Sequence, residues 1–152
     1  MKKFYLIMLI ALMMFVVAPA AARAQGAAKQ GPEIVRDPDM EKDSLHNLEV
    51  ARQYFKLRKA YKASLDRCEE IIAGNPTFSK IDEVLLLAGQ SSLRLAANKG
   101  KQSVKTATDK LREDARDYLS MLVNNYPDSR FKDEALEELK SLGGPKAKDS
   151  KQ

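Results

Sequence analysis

SLDRCEEIIAGNPTFSKIDEVL, residues 64–85, is answered 51 residues later by ARDYLSMLVNNYPDSRFKDEAL, residues 115–136. Identities fall at Asp66/Asp117, Pro76/Pro127, Asp82/Asp133, Glu83/Glu134 and Leu85/Leu136, and Ile71-Ile72 answers Leu122-Val123 in character. Each copy carries apolar residues at helical spacing, then a Pro that a helix interior rejects, then an acidic pair suited to the start of another helix. The repeated unit is therefore the second helix of one hairpin joined to the first helix of the next. That is the pattern of stacked helical hairpins, none of which can bury its apolar faces alone.

Working outward, Leu45, Leu48, Ala51 and Phe55 form one stripe and Val50, Tyr54 and Leu57 another, which predicts a helix from about Ser44 packed on two sides. Tyr61, Leu65, Cys68 and Ile72 mark a second helix, stopped at Gly74-Asn75-Pro76. A third opens at Ser79 with Asp82 at capping-box spacing, carries Ile81, Val84, Leu85, Ala88 and Leu95, and breaks at Asn98-Lys99-Gly100. The fourth, over about 104–126, uses Leu111, Ala115, Tyr118 and Leu122. The last, about 130–142, uses Phe131, Ala135, Leu139 and Leu142 before Gly143-Gly144-Pro145. Nothing alternates with period two. The expected fold is all-α: a short α-solenoid of about two helical hairpins plus a C-terminal capping helix over residues 44–142. Leu65, Ile72, Leu85, Leu122 and Leu136 are expected in one continuous core. Residues 25–43, with two Gly and two Pro and no apolar period, read as a flexible arm, and residues 143–152 as a disordered tail.

The 152-residue chain opens with Lys2-Lys3 and an apolar run over residues 4–17, shorter than the roughly 20 residues of a spanning helix. With Ala22-Arg23-Ala24 behind it, the run has the form of a cleavable signal peptide over residues 1–24, cut between Ala24 and Gln25, or alternatively after Ala22. The chain is expected to be exported, with no span left after cleavage. Lys2, Lys3 and Arg23 leave with the leader, so the net charge of +5 becomes +2. Both signs interleave along the remaining sequence, which argues against nucleic acid as a partner. One Cys allows no internal disulfide, and Cys68 on an apolar stripe reads as a small buried hydrophobe. His46, expected in a first helical turn, has no second His or Cys with which to hold a metal. No catalytic set, metal site or cofactor is expected. Asp82-Glu83 and Asp133-Glu134 are better explained by the helix macrodipole than as paired catalytic acids.

The first hairpin resembles a tetratricopeptide repeat: Val50-Ala51-x-x-Tyr54 is similar to that family's Leu-Gly-x-x-Tyr element, and Ser64-x-x-x-Cys68-x-x-Ile71 with Pro76 to its small-x-x-x-bulky element with terminal Pro. The second fits through Ala88-Gly89, Ala115-x-x-x-Leu119-x-x-Leu122 and Pro127; in the first, Asn47 stands where a large aromatic is usual. About 17 residues beyond the 34-residue unit are expected as longer helices around Asn98 to Val104. More specifically, the segment from Val50 to Ser64 resembles one in the family of the D component of the outer-membrane β-barrel assembly machinery, and Asn125-Tyr126-Pro127-Asp128-Ser129 resembles its repeat ends. The likeness covers about residues 45–142, the C-terminal repeats of such a protein. It implies a non-enzymatic periplasmic module that binds a protein or peptide, with β-barrel assembly components as partners and cell-envelope assembly or maintenance as the role. On repeat alignment, Arg52, Lys56, Gln90 and Arg94 face the concave side and bind the partner, and basic residues there favour an acidic or C-terminal carboxylate ligand. The alternatives are a periplasmic scaffold or envelope-division coordinator unrelated to β-barrel assembly, or a small periplasmic enzyme.

Overall fold

The computed structural model describes residues 36–147, so the leader, its cleavage site at Ala24 and Gln25, and the first part of the arm lie outside the described residues. Among the described residues five α-helices follow in order: α1 (Pro38–Gln53), α2 (Tyr61–Gly74), α3 (Ile81–Ala96), α4 (Thr108–Asn125) and α5 (Lys132–Lys140), with a π-helical turn, Tyr54–Arg58, continuing α1. There is no strand among the described residues. Each helix packs chiefly on its neighbours in sequence, most extensively α3 on α4.

The burial pattern repeats with the sequence. At the offset of 51, the pairs Ser64/Ala115, Cys68/Leu119, Val84/Ala135 and Ala88/Leu139 are all fully buried. So do the turns. Asn75 N donates to Ile71 O at 2.8 Å and Tyr126 N to Leu122 O at 2.9 Å; Phe78 N donates to Asn75 O at 3.1 Å and Ser129 N to Tyr126 O at 3.0 Å. The same short chain reversal is thus built twice, around Pro76 and Pro127. Small residues let the helices approach closely: Ser91 Oγ donates to Ser64 Oγ at 3.2 Å, and a Cβ on Gly89 would lie 2.6 Å from Leu119 Cγ.

Several expectations are corrected. The arm over residues 25–43 is not extended to its end, because α1 begins at Pro38: the Asp37 carboxylate accepts from Asp39 N at 2.9 Å and Met40 N at 3.3 Å, and Pro takes the first turn, where its missing N–H costs nothing. His46 accordingly lies mid-helix and exposed rather than in a first turn. The stripe is Ser44, Leu48 and Ala51, with Phe55 partly buried, while Leu45 points outward at 39% exposure. Ser79 does not cap α3; Lys80 occupies the cap position without a side-chain bond, and Ser79 N donates instead to Glu41 Oε1 at 3.2 Å. The extra residues of the second repeat form a loop, not longer helices. α3 ends in a Schellman turn with Asn98 left-handed (φ 50°), Lys99 N donating to Arg94 O and Asn98 N to Leu95 O, and α4 starts only at Thr108.

The tail is ordered as far as it is described. Arg116 Nε donates to Gly144 O at 2.8 Å, Lys146 N to Ser120 Oγ at 2.9 Å, and Asn124 Nδ2 to Lys146 O at 2.9 Å, which ties residues 143–146 along α4. The core forms two clusters. One joins Leu48, Leu65, Cys68, Ile71, Phe78 and Val84; the other joins Leu85, Leu86, Leu119, Leu122, Ala135 and Leu139. Partly buried Ile72, Tyr118 and Tyr126 pack against both. Leu136 belongs to neither, because α5 has only α4 as a principal neighbour and buries the narrow stripe Ala135 and Leu139.

Cys68 sits in the first cluster with no exposed surface, and burial, then the nearby charges of Glu69 and Glu83, push its thiol well above the ordinary range. Folded protein should therefore leave a disulfide reagent such as Ellman's unconsumed at pH 8 and react within minutes once denatured. Rapid stoichiometric reaction of the folded chain would place Cys68 at the surface.

Candidate functional site

Acids equivalent in the sequence repeat rivet α1 to α3 and α3 to α5. Arg52 near the end of α1 holds Glu83 in the first turn of α3 through two charge-assisted bonds, Nε to Oε1 at 2.7 Å and Nη2 to Oε2 at 2.8 Å. One repeat further, Gln90 Nε2 of α3 donates to Glu134 Oε1 in the first turn of α5 at 2.8 Å. Glu83 and Glu134 are the repeat-related pair. The acids thus favour the positive helix starts and also accept from the preceding first helix. Ser129 Oγ adds a bond to Asp82 Oδ2 at 2.6 Å, between the second turn and α3.

Arg52 also reaches Glu49 Oε2 at 3.0 Å, and that hydrogen bond, with one from Gln53, holds the exposed Glu49 carboxyl below the ordinary carboxylate range. The Arg52 guanidinium is correspondingly held charged, with its bond to Glu83 the largest cause. Around these groups lies a cleft of about 470 Å³ lined by Glu49, Arg52, Gln53, Lys56, Leu57, Glu83 and Arg130. Arg130 stacks on Phe131 at 4.5 Å and stands 3.8 Å from Glu83 Oε2.

Of the four residues expected on the binding face, Arg52 and Lys56 share this cleft, whereas Gln90 and Arg94 do not line it. Glu83, Gln90 and Arg94 are spaced by seven and four residues, so they follow one stripe of α3. Arg52 and Gln90 are engaged in the rivets. Lys56 and Arg94, each four residues beyond, form no ion pair or side-chain hydrogen bond among the described residues. Arg130, directly after Pro127-Asp128-Ser129, is a further lining residue that alignment of the first helices does not reach.

A second cleft, of about 490 Å³, lies between the two Pro turns and is lined by Pro76, Phe78 and Asp82 on one side and Tyr126, Pro127 and Ser129 on the other. Arg36 reaches into it, with Nε donating to Thr77 O at 2.8 Å. Burial, then Asp82, push the Tyr126 phenol upward. Among the described residues no three His, Cys, Asp or Glu side chains are grouped so as to hold a metal, and no helix is long and apolar enough to cross a membrane. No protein-family model, curated protein or solved structure matches the chain.

Proposed function

We propose that this chain is a non-enzymatic interaction module of tetratricopeptide type, exported by a cleavable leader, which takes an acidic or C-terminal segment of a partner protein along the face of α1, α3 and α5. The observation that carries the reading is the double rivet, Arg52–Glu83 and Gln90–Glu134. Recurrence at equivalent positions sets the first helices side by side, as a repeat solenoid does to make an extended binding face. Arg52 and Gln90 shape that face, and Lys56 and Arg94 supply its unpaired positive charge. The resemblance to the D component of the β-barrel assembly machinery extends the proposal to envelope assembly or maintenance, with components of that machinery as partners.

The test is affinity capture from periplasm with mass spectrometry, run with the native chain and with Lys56→Glu/Arg94→Glu. Reversal of both charges should lower recovery of the principal partner at least tenfold while stability falls by no more than about 1 kcal/mol, because neither side chain is bonded and the main loss is the favourable charge of Arg94 in the last turn of α3. Undiminished recovery would move binding off this face. Turnover of a small molecule by the native chain would replace the module with an enzyme.

A further inference from the structure

We infer that the end of the molecule carrying the α1–α2 turn and the α3–α4 loop docks on anionic lipid headgroups. The two signs of charge interleave along the helices, but not here. No acidic residue occurs at positions 50–65 or 90–108, the two stretches that meet at this end. Lys101 N donates to Lys59 O at 3.3 Å, Gln102 Oε1 accepts from Ala63 N at 3.2 Å and so caps α2 from across the gap, and the Cα of Gly100 packs against Lys59 O and the Tyr61 ring. A Cβ at Gly100 would fall 2.6 Å from that oxygen, and its φ of +102° favours glycine independently. The two turns are thereby held as one surface.

That surface exposes Arg58, Lys59, Lys99, Lys101 and Lys105, none with an ion-pair partner among the described residues. The nearest acids in sequence are Asp66, which is paired with Lys62, and Asp109 at the start of α4. Beside the cations, Leu57 projects with 80% of its surface exposed, held out by the π-helical turn. Four of the five cations are lysines, compact hydrated charges that suit a diffuse anionic surface better than a bidentate partner. An exposed leucine among lysines on a protruding turn fits a headgroup layer, where the apolar tip inserts and the charges stay in the interface. None of these five cations belongs to the proposed peptide face; Leu57, which also lines the cleft beside Lys56, borders both, and the charge variants below leave it unchanged.

Flotation of the full chain with phosphatidylcholine vesicles, with and without one-third phosphatidylglycerol, tests it. The apolar stretch at residues 4–17 is common to every arm, so the readout is the ratio of anionic to neutral binding. Each surface cation contributes roughly fivefold, equivalent to about 1 kcal/mol, so Arg58→Gln/Lys99→Gln/Lys101→Gln should lower that ratio by about a hundredfold. Lys101→Gln/Lys105→Gln, confined to exposed positions of the α3–α4 loop, repeats the test should the triple variant not fold: it leaves Lys2, Lys3 and Arg23 unchanged and should lower the ratio about twenty-fivefold. Equal native binding to both vesicles, or a folded triple variant that keeps the native ratio, overturns the proposal. Cation-dependent binding to immobilised polyglutamate without preference for anionic vesicles would overturn it in favour of an acidic protein partner.

Discussion

Leu122→Ala should cost the fold about 2–5 kcal/mol, visible as a fall of roughly 10 °C in the helical melting temperature. Leu122 has no exposed surface and lies in the cluster where α4 meets α3 and α5, among Leu85, Leu119, Ala135 and Leu139. Removing three carbons there loses their transfer free energy and leaves a void. That void closes poorly, because Leu119 already presses on the backbone at Gly89, where even a Cβ would come within 2.6 Å. Leu136→Ala is the internal comparison: it makes the same chemical change at a partly exposed position outside both clusters, and should cost less than half as much. A loss below about 0.5 kcal/mol at Leu122 would put that residue at the surface and break the register of the repeat.

The comparison works because Leu122 and Leu136 looked alike in the sequence, and the difference shows what pattern can resolve. Periodicity reports which residues share a helix face, so the helical order, the Pro76 and Pro127 stops and the buried Leu65, Cys68, Leu85 and Leu122 were all legible. It does not report how many neighbours a helix has. Periodicity places Leu136 in the core, yet α5 packs chiefly on α4 alone and leaves it partly exposed. Composition alone makes Pro38 a breaker, whereas preceded by Asp37 it is a start signal, so α1 takes six residues of the expected arm. The ordering of Gly144 and Lys146 by Arg116, Ser120 and Asn124 depends on contacts 22–28 residues apart, which no local pattern encodes. At the candidate site, repeat alignment located Arg52 and Gln90 on the first helices, but their partners Glu83 and Glu134 had been explained by the macrodipole alone. Each acid carries both roles, and only the second is tertiary.

Arg52→Glu should therefore destabilise the protein rather than merely weaken binding, by about 1–3 kcal/mol. The pair is partly shielded, with 27% of the Arg52 side chain and 16% of the Glu83 side chain exposed, so the full cost of breaking a buried ion pair does not apply. What remains is still substantial. Glu83 would keep only Arg130, at 3.8 Å, and would face a new carboxylate beside Glu49. Lys56→Glu, one turn away and unpaired, should change stability by no more than about 0.5 kcal/mol, so the two reversals separate the rivet from the binding face. Adding Glu83→Lys to Arg52→Glu restores opposite charges across the same gap and should recover part of the loss, whereas two independent surface effects would simply add. A melting curve of Arg52→Glu that coincides with the native one would dissolve the rivet and return Arg52 to the partner.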